Sequence, residues 1–316
     1  MDGKKVILAE PRGFCAGVRR AISMVEQALD YYGPPVYVRK EIVHNHHVIR
    51  ALEGRGAIFT SSENDVPEGA VCVFSAHGVS PEVRGNARGR DLRVLDATCP
   101  LVSKVHQEAQ RFARAGRTIL LVGHADHEEV EGTLGEAPAS TIVVESVEDA
   151  RALDLPPDAD VAYLTQTTLS LDETAAIIGT LRERFPALAG PATDDICYAS
   201  QNRQNAVKAL AARSDLVLVV GSANSSNSVR MVEVARNAGT ASHLVSNVED
   251  VDVGWLDGTT AIGVSAGAST PEFLVDQLVD RLVELGYDGL EIEETATENI
   301  TFTFRPVWQT EEVVQP

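Results

Sequence analysis

Three observations in the 316-residue chain predict an α/β fold of three small modules, each with a mainly parallel sheet, set around a pseudo-threefold axis. The first is a repeat. Cys15 is followed by AGVRRAISMVEQAL, Cys99 by PLVSKVHQEAQRFA and Cys197 by YASQNRQNAVKALA, each with the pattern of an amphipathic helix. The second is alternation: short apolar runs follow each of these helices in the same order, as in parallel βαβ units. The third is that every apolar run ends in a polar loop, and in such sheets ligands bind beyond the carboxyl ends of the strands.

Taken in order, RVLDA (93–97) reads as the end of a strand, and Pro100 suits the first position of a helix, where its missing N–H costs nothing. Cys99 therefore caps a helix, at the end whose dipole favours a thiolate. After each post-cysteine helix comes a strand: VYV (36–38), ILLVG (119–123) and LVLVVG (216–221). Each enters a polar loop: EIVHNHHV (41–48), GHADHEEVEGTLG (123–135) and GSANSSNSVRM (221–231). AIFTSSENDV (57–66), TIVVESVEDA (141–150) and SHLVSNVEDV (242–251) come next. A final strand and loop close each unit: VCVFSAHGVSPEV (71–83), VAYLTQTTLSLDET (161–174) and TAIGVSAGASTPEF (260–273). The modules are bounded at 1–97, 98–194 and 195–285. Residues 286–316, containing NITFTF (299–304), are left as a C-terminal strand or arm packed elsewhere.

Composition excludes several classes. A net charge of −19 argues against sequence-independent binding to nucleic acid or anionic lipid. The apolar runs are too short to span a bilayer, and MDGKKVILAE lacks the core of a signal peptide, so a soluble cytoplasmic protein is expected. The four cysteines form no CxxC motif, and in a reducing compartment no disulfide is expected.

If the modules pack around their axis, Cys15, Cys99 and Cys197 converge. Three such thiolates could hold zinc or an iron–sulfur cluster. Structural zinc favours tight spacing and a fourth protein ligand, and Cys72, in the apolar run VCVF, reads as core. Three ligands on a four-iron cluster would leave one iron open to substrate. His44, His77 and His127 lie on loops with Ser225, Ser226, Asn227 and Ser269, which supply imidazoles and hydroxyls for phosphate oxygens beside helix N-termini. Glu129 is the carboxyl group expected to act as a general acid, with Thr167 relaying or orienting the proton. Asn45, Gln166 and Glu131 are expected to support them. A non-catalytic iron–sulfur sensor of a diphosphate metabolite and a zinc hydrolase with a Cys₃ site are the alternatives these residues leave open.

PRGFCAGV (11–18), EIVHN (41–45), FSAHGVSP (74–81), DATCPLV (96–102) and HEEVEGT (127–133) resemble the LytB family of 4-hydroxy-3-methylbut-2-enyl diphosphate reductases. So do TQTTLS (165–170), DDICYA (194–199), NSSNS (224–228) and SAGASTP (265–271), and the likeness covers about residues 4–275 in order. The resemblance implies a trefoil of three α/β domains around a [4Fe–4S] cluster on Cys15, Cys99 and Cys197. It implies an allylic diphosphate substrate, held by His44, His77, His127, Ser225, Ser226, Asn227 and Ser269. Protons would come from Glu129, with Thr167 near the substrate hydroxyl, and electrons singly from a ferredoxin- or flavodoxin-type donor. Three positions depart from the family pattern. Ser200 replaces a usual threonine, Ala223 stands where lysine is common, and Glu128 replaces a frequent proline, adding an acid beside the expected proton donor.

Overall fold

The computed structural model of the chain describes residues 3–304. It begins β1 (Lys5–Glu10), α1 (Ala16–Tyr32), β2 (Val36–Arg39), α2 (His46–Gly54), β3 (Ala57–Thr60), β4 (Val71–Phe74), α3 (Pro81–Gly89) and β5 (Arg93–Asp96). It continues α4 (Pro100–Arg114), β6 (Thr118–Val122), α5 (Glu128–Glu136), β7 (Thr141–Val144), α6 (Val147–Ala152), β8 (Val161–Thr165) and α7 (Leu171–Arg184). It then runs α8 (Tyr198–Ala211), β9 (Leu216–Val220), α9 (Ser226–Asn237), β10 (Ala241–Val245), β11 (Ala261–Ala266), α10 (Glu272–Glu284) and β12 (Gly289–Glu294).

The strands form three sheets, ordered β3-β2-β4-β5, β7-β6-β8 and β10-β9-β11-β1-β12, and every pairing is parallel. Parallel sheets need cover on both faces, which explains why the central strands read as unbroken apolar runs. The helix after each cysteine covers one sheet. Val25 and Leu29 of α1 pack with Val36 and Val38. Val105 and Phe112 of α4 pack with Ile119 and Leu121, and Val207 and Leu210 of α8 pack with Val217 and Val219.

The contiguous module boundaries do not describe the sheets. β1 lies in the third sheet, where Lys5–Leu8 pair with Ala261–Val264 and Lys5–Glu10 with Gly289–Glu294. Burial decides this. Ile7 and Ala9 pack under α8, while Val6 and Leu8 pack under Leu278 and Leu282 of α10. The C-terminal arm likewise starts as β12 of that sheet. Residues 299–304 form no strand; Phe304 packs against the core of the first sheet, and 305–316 lie outside the described residues. The consequence is circular. Cys15 sits between β1 of the third sheet and α1 on the first, and Cys99 between β5 of the first and α4 on the second. Cys197 follows a single parallel bridge, Ala162 with Ala189, beside the second sheet and precedes α8 on the third. Every junction between modules passes through one cysteine.

Arg203 of α8 fastens the closing junction. Its fully buried guanidinium donates to the Gly13 carbonyl at 2.6 and 3.1 Å and pairs with Glu298 of the arm at 2.9 Å. Arg203→Met would leave the Gly13 carbonyl and the Glu298 carboxylate without this partner. It is expected to cost about 3 kcal/mol, read as a lowered denaturant midpoint. No helix among the described residues is long and apolar enough to cross a membrane.

Candidate functional site

All twelve site residues expected from the sequence line one cavity. Eleven of them come from three equivalent places in the repeat, and Glu129 comes from the first turn of α5. The cysteines start α1, α4 and α8. His44, His127 and Ser225 follow strands β2, β6 and β9 and precede α2, α5 and α9, the last of which opens with Ser226 and Asn227. His77, Thr167 and Ser269 follow β4, β8 and β11.

Cys15 Sγ accepts the Val18 amide at 3.5 Å, and Cys197 Sγ accepts the Ser200 amide at 3.3 Å. Cys99, with Pro100 behind it, makes no capping bond, though the Leu101 and Val102 amides still draw its pKa down. Burial outweighs them and pushes Cys99 up to about 12; burial and the neighbouring Cys15 push Cys197 up to about 11. The sulfurs crowd one point. A Cβ on Gly17 would lie 2.8 Å from Cys99 Sγ and 3.8 Å from Cys15 Sγ, so only glycine leaves that space open. Among the described residues, no three His, Cys, Asp or Glu side chains are placed to hold a single ion. Cys72 lies fully buried in β4 and does not line the cavity.

The histidines form a cluster. The rings of His44 and His77 stack 4.1 Å apart, and His127 meets both edge-on at 5.5 and 5.7 Å. Burial, then the charges of His77 and His44, takes the His127 pKa down to about 3. His127 also caps α5, its Nδ1 accepting the Glu129 amide at 3.1 Å. His46 and His47 lie in the first turn of α2 and do not line this cavity, and His124 lines the neighbouring outer cleft.

Glu129, only 2 % exposed, places Oε1 2.7 Å from the Thr167 amide and Oε2 3.0 Å from the Thr167 hydroxyl. Burial raises its pKa to about 7, the Thr167 bonds opposing and Asp195 assisting the rise. A carboxyl half-protonated near neutrality is suited to proton transfer. Asn227 Oδ1 accepts the Ala268 amide at 2.8 Å, its Nδ2 reaches Ser200 Oγ at 3.4 Å, and Ser269 Oγ donates to the His44 carbonyl at 3.0 Å. Ser226 Oγ lies 3.1 Å from Thr168 Oγ1 and 3.4 Å from Gln166 Nε2. Asn45 caps α2, whereas Glu131 turns outward to Lys40 at 2.6 Å.

The three departures fall in different places. Ser200 keeps a hydroxyl 3.2 Å from Cys197 Sγ, and Ala223 is exposed at the rim of the outer cleft. Glu128, beside Glu129 in the chain, turns its carboxylate to His77 Nδ1 at 3.2 Å. Sequence reasoning missed Gly17, Thr168 and Glu41. The last lies three residues before His44, and its Oε2 is 3.0 Å from His44 Nδ1.

Fold and cavity define a class: three parallel α/β modules that each bring one cysteine and a set of polar loop ends to a shared centre. The LytB protein family matches residues 6–283. The chain is 55 % identical over 304 residues to 4-hydroxy-3-methylbut-2-enyl diphosphate reductase of Acidothermus cellulolyticus, covering 96 % of this chain and 89 % of the relative. It is 57 % identical over 300 residues to 4-hydroxy-3-methylbut-2-enyl diphosphate reductase 2 of Mycobacterium tuberculosis H37Rv, covering 95 % and 90 %. Its structure superposes on E-1-hydroxy-2-methyl-but-2-enyl-4-diphosphate reductase of Plasmodium falciparum with a TM-score of 0.95, at 39 % identity and 98 % coverage of both chains. The chain belongs to the LytB family, and it is a reductase of that family.

Proposed function

We propose that this chain reduces (E)-4-hydroxy-3-methylbut-2-enyl diphosphate to isopentenyl and dimethylallyl diphosphate, consuming two electrons and two protons and releasing water. The observation that carries the reading is one cavity containing three converging thiols, three histidines and a buried carboxyl poised near neutrality. Cys15, Cys99 and Cys197 are the residues that would hold a [4Fe–4S] cluster. The fit rests on the soft donor set and on the space that Gly17 leaves beside two of the sulfurs. When bound, the cluster supplies one-electron transfer and, at the position no cysteine takes, a Lewis acid for the substrate hydroxyl.

The chain's own groups do the rest. His44, His77, His127 and Ser225, Ser226 and Asn227 at the start of α9 bind the diphosphate, assisted by Ser269 and the N-termini of α2, α5 and α9. Glu129, through the Thr167 hydroxyl, delivers the proton that lets the hydroxyl leave as water. The second proton reaches either end of the allylic system from the bound diphosphate, giving two isomers. Electrons come singly from a ferredoxin- or flavodoxin-type protein in the cytoplasm.

Anaerobic purification followed by iron and sulfide analysis and an assay with a chemical one-electron reductant tests the reading. A brown protein with about four irons per chain that forms both products is expected. A colourless protein, or a loaded one that leaves the allylic diphosphate untouched, overturns it.

Gly17→Ala follows from the same geometry. Alanine favours the helix by about 1 kcal/mol, so α1 should persist. Its methyl group enters the space beside Cys99, and iron content is expected to fall at least two-fold while far-ultraviolet dichroism is unchanged.

A further inference from the structure

Two of the three cavity histidines have a carboxylate partner, and the third does not. Glu41 Oε2 lies 3.0 Å from His44 Nδ1, and Glu128 Oε2 lies 3.2 Å from His77 Nδ1. His127 Nδ1 accepts an amide, so its ring is neutral with the proton on Nε2. The charged and titratable groups facing the stacked His44 and His77 rings are His127, Glu41 and Glu128, with Lys40 acting on Glu128 and His124 on His127.

In the free pocket, burial and then the charge of His44 hold His77 below its ordinary pKa. Glu41 is lowered by its His44 bond, and Glu128 is lowered by His77 despite burial. The pocket therefore starts with ionised carboxylates and with the charged form of His77 disfavoured. No Lys or Arg is among the described residues lining the cavity. Two carboxylates beside an anion site repel the anion unless their imidazole partners become cationic. Stacked imidazoliums 4.1 Å apart in turn repel each other unless negative charge lies on both sides of them.

Resting on the reading of this cavity as a diphosphate pocket, we infer that Glu41 and Glu128 are positioning residues that make the His44–His77 stack a proton-gathering clamp. Diphosphate binding protonates the stack. The two carboxylates hold the imidazoliums by Nδ1–H, leaving Nε2–H for the anion. Glu128 thus supports the charge of a diphosphate ligand and takes no part in delivering protons through Glu129.

The test is calorimetric titration of the cluster-loaded protein with inorganic pyrophosphate, in two buffers of different ionisation enthalpy, between pH 6 and 9. Wild type, Glu128→Gln, Glu41→Gln and Glu128→Asp are compared. The titration of pyrophosphate itself is common to all four and cancels in the comparison. Removing a carboxylate lowers the imidazole pKa in the complex, so affinity should begin to fall at lower pH. At pH 8 each glutamine variant is expected to bind about ten-fold more weakly, to take up fewer protons than wild type, and to approach wild-type affinity at pH 6. Glu128→Asp should restore part of the proton uptake. Glutamine variants with unchanged proton uptake and a parallel pH profile overturn the clamp while leaving the pocket intact. A wild-type protein that binds no pyrophosphate overturns the pocket reading and the clamp together.

Discussion

Glu129→Gln is expected to lose turnover by about 10²–10⁴-fold while keeping its iron, its sulfide and its affinity for pyrophosphate. Glutamine can still accept the Thr167 amide through its carbonyl oxygen, so the α5 N-terminus and the Thr167 loop should hold their places. What disappears is a proton at a buried position whose pKa is raised to about 7. In the wild type, kcat/KM should accordingly fall as pH rises above 7, and the variant's residual rate should lack that limb.

The same substitution should move stability the other way. The Glu129 pKa is raised in the fold above its ordinary 4.5. The folded chain therefore binds more protons than the unfolded one between about pH 4.5 and 7, and stability present below that window is lost as pH rises through it. Glutamine carries no such penalty, although it gives up the hydroxyl bond from Thr167. Above pH 7 the variant should be more stable by roughly 2 kcal/mol, seen as a higher thermal midpoint at pH 8 and little difference at pH 5. Near-normal turnover in a well-folded variant removes Glu129 from the reaction.

Cys99→Ser is the second large effect. The hydroxyl is a hard, weakly acidic donor in place of a soft thiolate, and it sits where burial already opposes ionisation. Iron per chain should drop several-fold, and turnover should fall at least about 10³-fold, the scale on which a whole catalytic group is lost. Far-ultraviolet dichroism should not change, because Pro100 still starts α4 and the core contacts of Val105 and Phe112 are untouched. A fully loaded, active Cys99→Ser protein would mean that this sulfur is not a ligand. The corresponding change at Cys72 is expected to leave iron content alone, since that thiol lies inside β4.

Much of this was legible in the sequence because it is local. A cysteine, an amphipathic helix, a strand and a polar loop repeat three times in that order, and local order alone places the cysteines at helix starts. The histidine and serine loops inherit their positions from the same order. Sheet membership is not local. KVILAE before Cys15 is the counterpart of RVLD before Cys99, yet nothing within six residues says that β1 is hydrogen-bonded to Ala261–Val264. Comparing the segments before each cysteine, and not only those after it, would have pointed there. The third comparison is weak, since only Ala189 makes a bridge ahead of Cys197. Pairings across the cavity were equally hidden. Glu128 and His77 are 51 positions apart, so nothing in the local sequence marks them as partners.

The place of β1 also sets a timetable. Cys15 comes before the other two cavity cysteines in the chain, but β1, which leads to it, has no strand neighbours until β11 and then β12 exist, more than 250 residues later. The earliest of the three sulfurs can be held by α1 against the first sheet, yet its β1 side is fixed only after Cys99 and Cys197 have been made. A chain truncated before Ala261 should fold much of its first two sheets and still leave β1, and with it one side of the shared cavity, without strand partners.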